Sequence, residues 1–194
     1  MLTLPRSLSL TPDQFAQVCA ANPEAVLELA ADGTLIEITP TGGNTSARNS
    51  ALVFQLQSWA RTVDGWIVFE SSAGFRLADG SVRSPDASLV RLDRWRALSE
   101  AEREGFPPLC PDLVVELASP SDETQALCRK MDAYMANGAR LGWLLLPQSR
   151  TVQIWQTGAA ETANSPLVLN DPDRLEAGLE FPGLVIDPRR IWEV

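Results

Sequence analysis

The sequence predicts an α/β fold in which a mixed central β-sheet is flanked by helices, with an additional N-terminal helix and hairpin. Two observations support this class. Segments with helical and strand patterns alternate along the chain, and Leu113–Leu117 has the apolar composition of a central strand buried on both faces. The 194 residues suit one domain with a substantial core. We therefore expect a single domain over residues 1–194, with its core at about 24–160 and with residues 161–194 packed on that core.

The N-terminal part predicts a short helix followed by a β-hairpin. Thr11–Gln14 has the pattern of a capping box with proline at the first helical position, so the helix should run to about Asn22. The dipeptide Asp32-Gly33 is a strong turn signal between two apolar segments. The hairpin strands are therefore predicted at Leu27–Ala31 and Leu35–Ile38.

A longer helix and three strands are predicted next. Asn44 or Thr45 can cap a helix that continues to about Arg61, because its apolar residues recur at three- and four-residue spacing, and Gly65 ends it. The strand candidates that follow are Trp66–Glu70, Gly74–Leu77 and Ala87–Arg91. The charged stretch from Leu92 to Phe106 predicts a helical turn or two over the surface.

The second half of the chain continues with a helix and two strands. Ser121 is the predicted cap of a helix that carries acidic residues in its first turn and ends at Asn137-Gly138. The strands after it are predicted at Leu141–Leu146 and Thr151–Trp155. We expect Phe181–Leu184 to dock back on the sheet, since it is a short apolar piece in a tail that alternates with turns.

Composition excludes several kinds of chemistry. Without histidine, the chain can form neither a histidine-ligated zinc site nor a Ser-His-Asp or Cys-His catalytic group. Any metal must be held by oxygen ligands, which favours magnesium or manganese. The three cysteines have no CxxC spacing, and the N-terminus has no signal-peptide pattern, so we expect a cytoplasmic protein. The apolar runs are too short to span a bilayer, so no membrane partner is expected.

The net charge of −9 argues against broad electrostatic binding to nucleic acid or to anionic membranes. It leaves a nucleic-acid enzyme open, because arginines can gather on one face and a divalent cation inverts the local field. Six tryptophans fall mostly within apolar segments, where core packing or a subunit contact explains them better than base stacking.

One lysine stands among fifteen arginines, and two carboxylates precede it in the chain. Asp86 opens one predicted strand, and Glu116 lies near the end of the next core strand. If these strands are neighbours, both carboxylates converge at one end of the sheet. Together with the backbone carbonyl of Leu117 and water, they could form an octahedral magnesium site. Lys130, on the following helix, has a side chain long enough to reach the same end.

These residues resemble the PD-(D/E)xK nuclease superfamily and, within it, the bacterial Uma-two (Uma2) family of restriction-like endonucleases. The resemblance rests on Arg83–Asp86, on the specific segment Pro111–Asp122, and on the Lys130, Tyr134 and Gly138 spacing. The hairpin and the helix after it are also similar to this family, so that the resemblance extends from about residue 15 to the C-terminus.

The resemblance implies a restriction-endonuclease-like core and a Mg²⁺- or Mn²⁺-dependent endonuclease that hydrolyses DNA phosphodiester bonds. Asp86 would match the first metal-binding aspartate, and Glu116 the second acidic residue. The superfamily pattern expects a lysine two residues after Glu116, where this chain has Ala118. In this family a lysine on the next helix takes that place, and Lys130 matches it, with a role in assisting the attacking water or stabilising the transition-state charge.

Three accessory residues have two interpretations each. Glu28 resembles an early acidic residue of the family that could reach the site, but we favour a surface charge on the hairpin. Arg83 could position a phosphate or form a local salt bridge. Tyr134, one turn after Lys130, could pack beside the site or hydrogen-bond within it. Asp112 is assigned a structural role.

Two functions remain open from the sequence. The first is the endonuclease, with DNA of unspecified sequence as its partner and a homodimer as a plausible assembly. The alternative is a catalytically weak or inactive nuclease-like fold that serves as a binding or assembly module, as the acidic balance and the displaced lysine would allow.

Overall fold

The structure, a computed structural model, describes residues 9–158 and 166–194 as a six-stranded, a four-stranded and a two-stranded β-sheet with helices packed around them. The helices are α1 (Pro12–Ala21), α2 (Gly43–Ala60), α3 (Leu92–Ala97), α4 (Glu100–Glu104), α5 (Thr124–Ala136) and α6 (Arg189–Trp192). The strands are β1 (Val26–Leu29), β2 (Leu35–Ile38), β3 (Trp66–Glu70), β4 (Phe75–Arg76), β5 (Val82–Arg83), β6 (Ala87–Arg91), β7 (Leu113–Leu117), β8 (Leu141–Leu146), β9 (Thr151–Gln156), β10 (Leu167–Asn170), β11 (Leu175–Glu176) and β12 (Val185–Ile186).

The large sheet has six strands in the order β10-β9-β8-β7-β6-β3. Strands β7 and β8 are parallel, and every other neighbouring pair is antiparallel. All five residues of β7 are buried, as expected for a strand covered on both faces. The mixed sheet flanked by helices confirms the predicted fold class.

Each face of the large sheet is covered by a different helix. On one face, α2 and the C-terminal segment form a core with the odd-numbered residues of β7; Phe181 is fully buried there, and its ring centroid lies 4.8 Å from that of Trp66. On the other face, α5 packs Met131 and Tyr134 against Val114 of β7. Glu116 shares this second face, because side chains alternate along a strand.

The small sheet has four short strands in the order β2-β1-β5-β4. Helix α1 packs on it through Phe15, whose ring centroid lies 5.4 Å from that of Phe106, and through contacts with Leu29 and Val82. The predicted capping box is present at the start of α1: the Thr11 side chain accepts from the Gln14 backbone amide, and the Gln14 side chain accepts from that of Thr11. The small sheet is therefore a compact unit with its own apolar cluster.

Two predicted helix starts differ from the structure. Helix α5 begins at Thr124, and its N-cap residue Glu123 makes no capping hydrogen bond, so the predicted cap at Ser121 is wrong. The side chain of Asp122 instead accepts from the Ser119 amide at 2.7 Å, and this local bond holds the preceding residues in a loop. Helix α2 begins one residue before Asn44, with Gly42 as its N-cap.

The short strands were the least predictable elements. The predicted strand Gly74–Leu77 is reduced to Phe75–Arg76, and Val82–Arg83 forms a strand that was not predicted. A two-residue strand shows no alternation, so periodicity cannot reveal it. Across the described ranges, none of the helices is both long and apolar enough to cross a membrane.

Candidate active site

Asp86 and Glu116 lie together at one end of the large sheet. Strands β6 and β7 are antiparallel and pair Ala87 with Val115, so the next position of this register brings Asp86 opposite Glu116. A hydrogen bond fixes this end: the backbone amide of Leu117 donates to Asp86 Oδ2 at 2.7 Å. The two predicted metal-binding carboxylates meet because β6, which begins just after Asp86, pairs with β7, which ends just after Glu116.

Lys130 reaches this pair from α5. Its Nζ lies 2.9 Å from Glu116 Oε1, and it also donates to the carbonyl oxygen of Ser84 at 3.2 Å. The side chain is 16% exposed, so most of its stem is buried in the second face of the sheet. The one lysine of the chain therefore points into the carboxylate cluster.

Glu28 is part of the same cluster, and our preference for a surface charge was wrong. It is 3% exposed, and its Oε1 lies 2.9 Å from Lys130 Nζ. Strand β1 alternates, so that Leu27 and Leu29 enter the core of the small sheet while Glu28 faces the opposite way, toward the large sheet. A charge between two leucines resembles a solvent-facing position in the sequence, which does not reveal that α5 and the segment around residue 84 cover that face.

Arg83 and Tyr134 complete the cluster. Arg83 pairs with Glu28 Oε2 at 3.0 Å, which is the local salt bridge that was one of its two interpretations. The Tyr134 hydroxyl donates to Glu116 Oε1 at 3.1 Å, and this residue is fully buried. Tyr134 therefore does more than pack beside the site, since it hydrogen-bonds to one of its carboxylates.

Ser84 is a contributor that sequence reasoning missed. Its amide donates to Glu28 Oε1 at 2.9 Å, while its carbonyl accepts from Lys130. Both contacts come from the backbone, so no side-chain type could have signalled them. Asp112 lies at the other end of β7, where it accepts from the Arg91 amide at 2.9 Å and pairs with Arg94 at 2.8 Å, as a structural residue would.

Burial and mutual repulsion shift the pKa values of Glu116 and Asp86 upward. Burial raises the pKa of Glu116 to about 8, and the neighbouring carboxylates of Asp86 and Glu28 add to this effect against the attraction of Lys130. Burial likewise raises the pKa of Asp86, with the Leu117 amide and Lys130 acting in the opposite direction. The nearby positive charge is thus too small to offset the burial of either carboxyl group.

Glu28 behaves differently because it has more donors. Burial would raise its pKa, but Lys130, the Ser84 amide and Arg83 outweigh burial and hold the pKa of Glu28 below its usual value. Burial opposes the charge on Lys130, yet Glu116 and Glu28 raise its pKa, so the ammonium stays protonated. The pKa of Tyr134 is raised by burial and by Glu116, so that its hydroxyl remains a donor.

The acidic groups of the cluster outnumber its cations. Three carboxyl groups, Glu28, Asp86 and Glu116, face two cations, Lys130 and Arg83, so the cluster has one uncompensated negative charge when all three carboxyl groups are ionised. Over residues 9–158 and 166–194, no group of three or more histidine, cysteine, aspartate or glutamate side chains has the arrangement of a metal site. Any cation here would therefore rely on two carboxylates together with water or backbone oxygen.

Comparison with known proteins gives a family and a fold. Residues 12–189 match the model of the family Uma2, which carries the description "Putative restriction endonuclease". Among solved structures, the chain is similar to an Anabaena variabilis protein described as "a putative nuclease belonging to DUF820". The two share 20% sequence identity with a TM-score of 0.75, covering 95% of this chain and 98% of the other. At this identity the likeness concerns the fold. No curated protein matches the chain.

Proposed function

The chain belongs to the Uma2 family, and from this premise we propose that it is a divalent-metal-dependent endonuclease that hydrolyses phosphodiester bonds in DNA. The observation that supports the proposal best is the meeting of Asp86, Glu116 and Lys130 at one end of β6 and β7. Asp86 and Glu116 would hold the metal, with the Leu117 carbonyl as a third proposed ligand. Mg²⁺ and Mn²⁺ are the proposed ions.

The free oxygens of the two carboxylates fit a hard cation. Asp86 uses Oδ2, and Glu116 uses Oε1, for the protein hydrogen bonds described above. Within the described residues, Asp86 Oδ1 and Glu116 Oε2 accept no hydrogen bond. Mg²⁺ is commonly bound through one or two carboxylates and retains several waters. A divalent ion would also supply positive charge to two carboxyl groups whose pKa values are raised by burial and by neighbouring carboxylates.

The residues of the chain would divide the chemistry among them. A bound divalent ion offsets charge on the scissile phosphate and lowers the pKa of a water. Asp86 and Glu116 fix the position at which the phosphate and the water meet. Lys130 would add a fixed positive charge beside Glu116 and would stabilise the negative charge that develops on the phosphate during hydrolysis. Burial of the cluster strengthens these interactions, since the local dielectric is lower than that of water.

Cleavage of supercoiled plasmid with Mg²⁺, with Mn²⁺ and with EDTA tests the proposal. We expect metal-dependent nicking or linearisation by the wild type. The loss in Asp86→Ala should exceed the 10- to 100-fold that is typical of outer-sphere residues. Asp64→Ala, at an exposed aspartate before β3, is the matched control and should cleave normally. Full activity in Asp86→Ala would remove the basis of the assignment.

Lys130→Arg provides a second test of the site. Arginine keeps the charge but replaces a compact ammonium with a planar fork that cannot make the same close contacts. We expect activity to fall about 10- to 100-fold, as for residues that orient a metal site. Wild-type cleavage by this variant would show that any cation near the sheet end suffices.

A binding or assembly module without catalysis is the second candidate. The acidic composition and, across the part of the chain that the structure describes, the lack of a three-ligand metal group favour it. Isothermal titration with Mn²⁺ separates the candidates, because the endonuclease requires binding at millimolar metal and the module does not. A cytoplasmic location and a homodimer stay predictions from the sequence.

A further inference from the structure

Glu28 differs from the other two carboxylates in how its oxygens are used. Its Oε1 accepts from the Ser84 amide at 2.9 Å and contacts the Lys130 ammonium at 2.9 Å. Its Oε2 accepts from Arg83 at 3.0 Å. Both oxygens of this buried group are therefore occupied by cationic or amide donors. Unlike Asp86 and Glu116, Glu28 therefore has no oxygen that is free of a protein donor, and a cation on Oε2 would share that atom with the Arg83 guanidinium.

The Lys130 ammonium is equally occupied. A lysine ammonium has three N–H donors. Three acceptors surround Nζ: Glu28 Oε1 and Glu116 Oε1, both at 2.9 Å, and the Ser84 carbonyl at 3.2 Å. The ammonium is therefore surrounded by as many protein acceptors as it has N–H groups. The ammonium thus acts on the site through its charge and through the carboxylate that it holds.

Glu116 receives two of its contacts on one oxygen. Lys130 and the Tyr134 hydroxyl both donate to Oε1, at 2.9 Å and 3.1 Å. Because both donors approach the same atom, they restrict the carboxylate's orientation and leave Oε2 without a hydrogen bond from the described residues. Residues that hold a ligand in this way are often as necessary as the ligand itself.

We infer that Glu28 is a positioning residue that locks Lys130 against Glu116, and that it is not a metal ligand. This inference rests on the proposed function, since it divides the same cluster into two ligands and a support. The support joins the two sheets: Glu28 is on β1 of the small sheet, and Lys130 is on α5, which packs on the large sheet. The small sheet thereby acts on the metal site without contacting the metal.

Glu28→Gln and Asp86→Asn in the full-length protein test this division. Manganese binding is followed by the EPR signal of free Mn²⁺, and DNA cleavage is measured in parallel. We expect Glu28→Gln to bind Mn²⁺ with wild-type stoichiometry and less than about a tenfold change in Kd, while kcat falls about 10- to 100-fold at unchanged KM. Asp86→Asn should lose Mn²⁺ binding.

Loss of Mn²⁺ binding in Glu28→Gln to the same extent as in Asp86→Asn would overturn the inference, because Glu28 would then be a ligand. A wild-type kcat in Glu28→Gln would also overturn it. Glu28→Asp keeps the charge on a shorter side chain and guards against a variant that does not fold. It should bind Mn²⁺ normally with intermediate kcat, and loss of binding here would again contradict the inference.

The single lysine gives a readout that does not depend on activity. Lysine-selective ¹⁵N labelling produces one side-chain ammonium signal, from Lys130. We expect a signal protected from solvent exchange in the wild type and faster exchange in both Glu28 variants. If the wild type neither binds Mn²⁺ nor cleaves DNA, the proposed function fails and this signal still decides the positioning role. Unchanged exchange in the variants would overturn it.

Discussion

The large and the small sheet fix the side chains of the site in different ways. Asp86 and Glu116 are set by the backbone ladder of two five-residue strands, and the Leu117 amide strengthens the junction. Glu28 comes from β1, whose pairing with β5 in the small sheet is a single residue pair, Leu29 with Val82, and it reaches the site through ion pairs. Placement by a ladder depends on strand register, whereas placement by ion pairs depends on every partner being present.

The link between the sheets should be the most sensitive feature to change. Lys130→Met leaves Glu28 and Glu116 buried without their shared cation, and removal of one partner from a buried pair costs about 3–5 kcal/mol. Urea denaturation should show a lower midpoint at unchanged slope. Arg129→Met, at the exposed neighbouring position on α5, is the control and should behave as the wild type. Equal midpoints for the two variants would mean that the sheets do not depend on this cation.

The core of the small sheet should be separable from that of the large sheet. Leu29 is 1% exposed in the apolar cluster of the small sheet, so Leu29→Ala should cost about 2–5 kcal/mol. Hydrogen exchange should accelerate in β1 and β5 more than in β7. The matched control is Leu179→Ala, since Leu179 is 97% exposed. Uniform acceleration in both sheets would indicate one cooperative unit.

Two helix starts provide a smaller contrast between the regions. Thr11→Ala removes a capping box on α1 and should cost about 0.5–2 kcal/mol. Ser121→Ala lies in the loop before α5, where serine does not cap the helix, and should change the free energy of unfolding by less than about 0.5 kcal/mol. Thermal denaturation of both variants measures the difference. A larger loss in Ser121→Ala would contradict the observed start of α5.

The reactivity of the cysteine thiols should report the packing of the same regions without a substitution. Burial raises the pKa of Cys110 to about 12, so at pH 8 almost no thiolate is present and a disulfide reagent should not modify it. Cys19 on α1 and Cys128 on α5 are partly exposed, and burial raises their pKa values as well. We expect these two to react slowly and Cys110 to react only in denaturant. Rapid modification of Cys110 in the native protein would contradict the packing described here.

Most strands of the large sheet could be predicted because each has its own apolar pattern. Trp66–Glu70, Ala87–Arg91, Leu113–Leu117 and Leu141–Leu146 have the predicted bounds, whereas β9 extends one residue beyond its prediction and β10 was not predicted. Which strands pair with each other could not be predicted in the same way. The strand pattern puts Asp86 at a start and Glu116 near an end, but only the antiparallel register makes these ends neighbours.

The small sheet could be predicted less well, for physical reasons. Strands β4 and β5 have two residues each, too few for alternation, and they are held by contacts distant in sequence. Glu28 was misjudged because local pattern cannot show which face of a hairpin another element covers. Ser84 was missed because its contribution is made by backbone atoms, whose partners depend on the fold alone.

The enclosure of Lys130 has a consequence for amine chemistry. Acylating reagents attack only neutral amines, and the carboxylates of Glu116 and Glu28 raise the pKa of Lys130 and keep this largely buried amine protonated. In the folded protein this side chain should therefore resist N-hydroxysuccinimide esters, while unfolding should expose it to them. The fraction of protein acylated at Lys130, measured by mass spectrometry, would then report the fraction of molecules in which the small sheet has separated from the large sheet.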